Sequence, residues 1–243
     1  MSFRRHIAYF IWKNLGEISF FRRVEWKSIL EWLDPKNGEK ILDVGCGSGE
    51  LILKIAKKGS QVYGIDISEE DINNSKDLAR RSNLAAKFQV ADALNLPYPD
   101  NYFDKIVSSS CLEHFIDDIK ALKEMKRVLK PKGYLVLTTD SFHYLSMGKV
   151  GERHKKIANV VNYYTAEELN NRMEIAGFLM IGNKYLMKSS ATTLFHKIGI
   201  KFQWKGSLWY IISLMAYPLC AVSERLSKKG TGYTLIAKAS RIM

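Results

Sequence analysis

Residues 41–50 read Ile41-Leu42-Asp43-Val44-Gly45-Cys46-Gly47-Ser48-Gly49-Glu50. The apolar run from Ile41 to Val44, interrupted only by Asp43, predicts a short buried strand. Three alternate glycines follow, and Leu51, Ile52, Leu53 and Ile55 then begin a helical apolar pattern. Glycine admits positive φ and lets a ligand approach backbone where a Cβ would clash. The helix that starts next turns unpaired N–H groups and the positive end of its dipole toward that ligand. A strand, a glycine turn and a helix make a nucleotide-type site. In the dinucleotide fingerprint Gly-x-Gly-x-x-Gly, the third glycine would fall at Glu50, which argues against a nicotinamide cofactor.

Downstream, the pattern alternates. Strands are expected at Lys40–Val44, Gln61–Ile65, Ala86–Val90, Phe103–Ser108 and Gly133–Thr139, with helices between them that include Ser68–Ser82 and Ile116–Leu129. Lys130-Pro131-Lys132-Gly133 closes the second of these helices. Thr165-Ala166-Glu167-Glu168 predicts a capping box, opening a helix that Gly177 ends. Strands over Phe178–Met187 and Tyr233–Ala239 complete the set. Such alternation implies an α/β fold with a doubly wound, mostly parallel sheet covered by helices on both faces.

The two ends of the chain differ in character. Residues 1–33 interleave aromatics with arginine and lysine, and Phe3, Ile7, Phe10, Ile11 and Leu15 fall at helical spacing. That face packs on the core or serves as a lid or membrane-surface helix. Between the last two strands lie some forty residues, too many for a simple loop. Within them Leu208–Val222 is almost wholly apolar, with Lys201 and Lys205 before it and Arg225, Lys228 and Lys229 after it. A bilayer span needs about 20 apolar residues, and this run is shorter and contains Pro218. If its flanking strands pair in one sheet, a single crossing would leave them on opposite sides of the bilayer. An in-plane segment with basic edges or a buried cap helix remain.

The 243 residues carry a formal charge of +12. Residues 1–40 hold 8 basic and 5 acidic side chains, and residues 41–140 hold 14 and 15. Residues 141–243 hold 15 and 5, a net of +10. The basic character therefore lies outside the glycine-turn half and points to an anionic partner, membrane or nucleic acid. Three cysteines without a Cys-x-x-Cys pair fit neither a disulfide framework nor a zinc site, so reduced cytosolic thiols and no metal are expected. The basic start lacks a small-residue cleavage site, so no signal peptide is expected.

Several short motifs then come in one order. They are Asp43–Gly49, Gly64-Ile65-Asp66, Ala91–Asp100, Phe103-Asp104-Lys105-Ile106-Val107, Leu112-Glu113-His114 and Arg127–Gly133. As a set they resemble the class I S-adenosylmethionine-dependent methyltransferases, closest to the type 11 subgroup that includes ubiquinone and menaquinone methyltransferases. The resemblance covers roughly residues 38–187 and the last strand, and Lys132 departs from the glycine usual there. It implies a seven-stranded Rossmann-like sheet with an antiparallel last strand, and S-adenosyl-L-methionine as cofactor, released as S-adenosyl-L-homocysteine. It also implies that Gly45, Gly47 and Gly49 make room for the methionine half, with Asp43 bracing the loop. Asp66 would hold the ribose hydroxyls and Ile67 would pack on adenine. Asp92 would accept from the adenine amino group and the Ala93 N–H would meet the ring. Ser109 or Ser110 would reach the methionine end. The domain plan is then an N-terminal cap over 1–37, a cofactor-binding methyltransferase domain over 38–187 and 232–243, and an apolar, basic-edged insertion over 188–231.

A sulfonium methyl needs no protein nucleophile, so the enzyme has to align the acceptor, exclude water and, where needed, remove a proton. His114, just past the fourth strand, is the first candidate base, and His143 the second. A structural histidine or a solvated loop is the competing reading for each. Tyr9, His154 and Lys155 are candidates for the acceptor side, and Arg153-His154-Lys155-Lys156 could bind a phosphate or lipid head group. The leading expectation is methyl transfer to a lipid, quinone-like or lipid-linked acceptor, at the cytoplasmic face of a membrane the protein touches peripherally through anionic lipid. Its competitor is a soluble small-molecule methyltransferase with an apolar lid. A nucleic-acid partner is disfavoured, because Ser108-Ser109-Ser110-Cys111 stands where adenine-N6 enzymes carry Asp/Asn-Pro-Pro-aromatic, and no RNA-binding module is visible. A non-enzymatic cofactor-binding scaffold is the reading from a different class.

Overall fold

Alternation along one strand decides which side chains meet which helices. The computed structural model describes residues 19–201, 207–228 and 230–242. Its strands are β1 (Lys40–Val44), β2 (Gln61–Asp66), β3 (Ala86–Val90), β4 (Phe103–Ser109), β5 (Leu129–Asp140), β6 (Phe178–Leu186) and β7 (Thr234–Arg241). They form one seven-stranded sheet in the order β3-β2-β1-β4-β5-β7-β6. From β3 to β5 every pairing is parallel, and β7 runs antiparallel to both β5 and β6. The doubly wound, Rossmann-like α/β sheet with an antiparallel last strand is therefore the fold of this chain.

The helices are α1 (Phe20–Leu33), α2 (Glu50–Ala56), α3 (Glu69–Ser82), α4 (Asp118–Val128), α5 (Lys149–Ala158), α6 (Ala166–Ile175), α7 (Ser190–Lys201) and α8 (Ser207–Leu226). Ile41, Val107, Val136 and Ile236 face one core, with Phe20, Trp26, Ile29 and Leu33 of α1 and the apolar side of α2. Leu42, Val44, Ile106, Leu135 and Leu137 face the other, against Leu122 and Met125 of α4 and Leu169 and Met173 of α6. A sheet buried on both faces needs continuous apolar strands rather than alternating ones, which is how β1 reads.

Helix α1 is fixed at its C-terminus by the sheet. The last carbonyls of a helix have no partner within it. Here Lys238 donates to the Trp32 carbonyl at 2.8 Å, Tyr134 to that of Leu33 at 2.5 Å and Lys105 to that of Asp34 at 2.8 Å. Two of these donors are cations, the sign that suits the negative end of the helix dipole. Part of the N-terminal segment is thus built into the core rather than lying on it as a detachable lid.

Elsewhere two expectations need correction. Helix α4 begins at Asp118, capped by the Asp117 carboxylate on the Lys120 N–H at 2.9 Å, and a separate 3₁₀ turn over Leu112–His114 precedes it. Strand β5 starts at Leu129 rather than Gly133: Leu129 pairs with Phe103, the register then shifts, and Tyr134 pairs with Lys105. Lys132, at φ +65°, sits in that irregularity. The insertion after β6 forms two helices, and the apolar run Leu208–Val222 lies within the second, α8. The Glu224 carboxylate of α8 accepts from the N–H groups of Lys188 and Ser189 at 2.6 and 3.0 Å and from the Thr192 hydroxyl at 3.1 Å, tying α8 to the start of α7. The expected capping box at Thr165–Glu168 is present, and Gly177, at φ +83°, follows α6.

One face of α8 is covered: Cys220 and Ser213 are buried, and the Tyr217 ring meets Phe20 of α1 at 5.8 Å. Its other face is not. Ile212, Met215, Leu219, Val222 and Leu226 are all exposed, Met215 at 77%. Their spacing of three and four residues places them in one stripe along the helix. Among the described residues, no helix is long and apolar enough to cross a membrane.

Replacing Glu224 by alanine removes the acceptor for three donors, two of them main-chain. We expect a loss of about 1–3 kcal/mol, read by thermal melting. Faster proteolysis between residues 190 and 226 should accompany it, with sheet amides still protected from exchange. An unchanged cleavage pattern would show that the insertion is held by apolar packing alone.

Candidate active site

The strand order reverses between β1 and β4, and ligands of open α/β sheets bind where it does, at the carboxyl ends of the strands. The glycine turn leaves β1 at that point. The N–H groups of Gly45 and Cys46 both donate to the Ile65 carbonyl at 2.9 Å, and that of Gly47 donates to Asp66 Oδ2 at 2.8 Å. A Cβ on Gly45 (φ +76°) would collide with the Cys111 sulfur, whereas a Cβ on Gly47 (φ +49°) would meet nothing within 4 Å. Gly45 is therefore required by packing from within, and Gly47 borders open space. Gly49 is the N-cap residue of α2 and supplies no side chain to that helix end.

Asp66 closes the turn. Its Oδ1 accepts from the Ser68 N–H at 3.0 Å, so each oxygen holds one main-chain donor and retains capacity for another. Ile67, next along, is 77% exposed. The β2–β3 ladder continues through the Ala91 N–H to the Asp66 carbonyl at 3.0 Å, bringing the following loop alongside. In that loop Asp92 is exposed and makes an Asx turn, its carboxylate accepting from the Leu94 N–H at 2.9 Å, while Ala93 is buried. Asp43 is buried, but no described loop N–H reaches it, and its Oδ1 has no hydrogen-bond partner. Asp66 braces the loop in its place. Burial, then the Asp66 charge, pushes the Asp43 carboxyl up to about 8.

At the end of β4, Ser109 and Ser110 donate to one carboxylate oxygen, Glu25 Oε1 of α1, at 3.1 and 2.8 Å. The Thr138 hydroxyl of β5 donates to the same oxygen. Ser110 is left-handed, at φ +47°, with its N–H on the Thr138 carbonyl at 3.1 Å. Glu113 is buried, accepts from the Thr139 hydroxyl at 3.0 Å and is pushed up to about 8, chiefly by burial and in part by the Glu25 charge. Asp140, at the end of β5, is raised well above its ordinary value by burial and then by Glu113 and Glu25. The thiols of Cys46 and Cys111 are also pushed up by burial, which makes them poor nucleophiles.

The histidines divide. His114 is exposed, and its Nδ1 lies 3.2 Å from the Asn159 carbonyl. A carbonyl only accepts, so Nδ1 carries the hydrogen and Nε2 is left as an acceptor. His143 is half-buried, with its ring 5.2 Å from that of Tyr233. His154 is buried and stacks on Tyr144 at 3.9 Å, with Nδ1 2.9 Å from the Tyr163 hydroxyl and Nε2 3.7 Å from Asp140. Burial holds its pKa down at about 4, so it is neutral near pH 7. Arg153, Lys155 and Lys156 are exposed on the same helix. Residues 153–156 therefore form no joint anion site, because successive positions of α5 point in different directions. His196 meets the Tyr144 hydroxyl at 2.6 Å and is likewise neutral. Tyr9 lies outside the described residues. Among the described residues no cluster of histidine, cysteine, aspartate and glutamate is arranged to hold a metal ion.

Glu25, Asp140, Tyr163 and His196 escape motif reading. One signal for Glu25 was present: it stands between Phe21 and Ile29 at i+4 spacing, an acid on the apolar face of a helix.

The family of methyltransferase domains matches residues 42–137. The ubiquinone/menaquinone biosynthesis C-methyltransferase of Vibrio cholerae is 33% identical over 181 residues, covering 63% of this chain and 69% of that protein. The chain belongs to the class I S-adenosylmethionine-dependent methyltransferases. A norajmaline N-methyltransferase of Rauvolfia serpentina is 38% identical over 117 residues, 46% of this chain and 40% of that protein, so the chain spans less than half the length of this plant relative. In fold, the chain is similar to a putative sarcosine dimethylglycine methyltransferase from Galdieria sulphuraria (TM-score 0.67, 15% identity, 98% and 97% of the two chains covered).

The site's acids set a pH dependence. The folded pKa of Glu113 lies above its unfolded value of 4.5, so its contribution to stability is full below pH 4.5 and is lost as pH rises toward 8. Glu113→Gln removes that loss. Relative to wild type, we expect the variant to gain about 3.5 kcal/mol of stability between pH 5 and pH 8, a rise in melting temperature of roughly 7–14 °C for a chain of this size. Parallel pH profiles for the two proteins would refute the assignment.

Proposed function

We propose that this chain transfers a methyl group from S-adenosyl-L-methionine to an apolar, quinone-like or lipid-linked acceptor at the cytoplasmic face of a membrane. The observation that carries the acceptor class is the exposed stripe of α8, Ile212, Met215, Leu219, Val222 and Leu226. Exposed Lys197 and Lys201 stand on the preceding helix α7, and exposed Arg225 and Lys228 stand at the end of α8. An apolar stripe with basic edges suits a helix lying in the interface of an anionic bilayer, each basic group adding about 1 kcal/mol near the surface. The similarity to a quinone-pathway C-methyltransferase supports the same acceptor class.

The cofactor fits the crevice on three observations: the open space over Gly47, the unused acceptor capacity of Asp66 and the orphaned Asp43 Oδ1. When bound, it supplies a methyl group already activated on a sulfonium. Asp66 would receive the ribose hydroxyls, and exposed Ile67 would cover the adenine face. Asp92 and Ala93 would border the adenine edge, and the backbone of Gly45, Gly47 and Gly49 would leave room for the methionine half. His114 has the tautomer a base requires, with Nε2 free to take a proton from the acceptor. The neutral, stacked His154 and Tyr144 would shape an uncharged wall rather than bind a phosphate. The insertion over 188–231 would then be both acceptor cap and membrane-surface segment. A soluble small-molecule enzyme with an apolar lid is the second reading. The Glu224 tie and the packing of Tyr217 on Phe20, which make the insertion an integral cover, favour it.

Two experiments test this. By calorimetry, Asp66→Ala should weaken S-adenosyl-L-methionine binding by at least about tenfold, the loss of one or more charge-assisted hydrogen bonds, with the fold intact by circular dichroism. Near-normal affinity would count against the ribose assignment. In flotation with vesicles containing anionic phospholipid, the wild-type chain should rise with the lipid and a Met215→Glu, Leu219→Glu double variant should stay behind. Equal partitioning of the two, with labelled methyl groups recovered only in aqueous acceptors, would replace the membrane reading with the soluble one.

A further inference from the structure

A protein with a net charge of +12 gathers acids at the one place where its strands end. Asp43, Asp66, Glu25, Glu113 and Asp140 stand around the carboxyl ends of β1, β2, β4 and β5, and each raises or feels the charge of another. Among the described residues no lysine or arginine forms an ion pair with any of them, and the partner of Asp140 is the neutral His154. A recess lined by acids with no basic side chain paired to them offers carboxyl acceptors to a ligand that brings its own N–H donors.

Glu25 is the member of this group with the most specific arrangement. It is only 5% exposed, and it reaches the site from α1, which the family motifs do not include. Three hydroxyls, from Ser109, Ser110 and Thr138, all converge on Oε1. The acceptor capacity of Oε1 is thereby filled. No described residue donates to Oε2. Ser110 is held left-handed at φ +47°, a conformation a non-glycine residue adopts at a cost, and such strain concentrates at ligand sites. The next residue, Cys111, packs against Gly45. Asp43, whose Oδ1 is buried and unpartnered, lies two residues before that glycine. Through Ser110 and Cys111, Glu25 is thus linked to the turn at Gly45, where the methionine half of the cofactor is expected.

We propose that Glu25 is a cofactor-binding residue, receiving the α-ammonium group of the methionine half on Oε2. The assignment rests on the cofactor reading given above. An ammonium has three N–H donors to offer an unpaired carboxylate oxygen, whereas the sulfonium carries the same charge and no donor. The hydroxyls on Oε1 hold the carboxylate in place before the ligand arrives, so α1 takes part in recognition as well as in the core.

Calorimetry with three ligands tests it: S-adenosyl-L-methionine, S-adenosyl-L-homocysteine, and 5′-methylthioadenosine, which has no amino-acid half. Glu25→Gln keeps an acceptor for the three hydroxyls but removes the charge and turns an amide toward the ammonium. Affinity for the first two ligands should fall by roughly 10–100-fold, the value of a hydrogen bond between charged groups, while 5′-methylthioadenosine binds as it does to wild type. Glu25→Asp, which keeps the charge, should recover part of the loss. Unchanged binding of S-adenosyl-L-homocysteine by Glu25→Gln would overturn the assignment, and so would an equal loss for all three ligands, which marks general damage to the site. A wild-type chain that bound none of the three would overturn the cofactor reading itself, and this assignment with it.

Discussion

Strand β1 is held by parallel partners on both sides, β2 and β4, and the rest of the molecule depends on that pairing. Because strands β1 to β5 all run the same way, they end at one edge, and Asp43, Asp66, Ser109, Thr138 and Asp140 arrive there together. Helices returning from opposite faces must separate where the strand order reverses, which leaves a crevice without any side chain being carved away. The glycine turn leaves β1 at that gap. Helix α1 is then locked by Lys105, Tyr134 and Lys238 at its C-terminus, and this sets Glu25 over the ends of β4 and β5.

Burial governs the electrostatics of this edge more than pairing does. It raises the carboxyls of Asp43, Glu113 and Asp140 and lowers the imidazoles of His154 and His196, so both acids and bases are pushed toward their neutral forms. The basic surplus of the chain lies elsewhere, much of it on exposed positions of α5, α7 and the end of α8. Two surfaces of different character thus coexist on one domain. One is local, in the crevice, where buried acids offer acceptors to a ligand's donors. The other is spread over the outer surface and suits an extended anionic partner.

Much of this was legible in the amino-acid order, and for a local reason. The bounds of β1 and β3 and the Thr165 capping box depend on residues at most four positions apart. What escaped depends on long separations. The bonds of Ser110 and Thr138 to Glu25 span 85 and 113 positions, and no pattern within a helix window announces them. His154 reads as part of a basic cluster along the chain, whereas in space its helix turns it inward, away from its neighbours. The start of β5 was obscured by Lys130-Pro131-Lys132-Gly133, which reads as a turn but lies inside a strand with an irregular register. Leu208–Val222 was recognised as apolar, but composition does not reveal which side of such a helix is covered. That required the position of α1.

The place of β7 carries a consequence for how the chain is made. It follows the α7–α8 insertion in sequence, yet it lies between β5 and β6 in the sheet. As the chain leaves the ribosome, β6 and both insertion helices emerge before the strand that joins β6 to the growing sheet. Through that interval β6 has no strand beside it, and the exposed stripe of α8 is part of the surface that the nascent chain presents. Incompletely folded chains with apolar surface exposed are the ones chaperones hold. The order of the strands therefore leaves α8 on offer until β7 has closed the sheet.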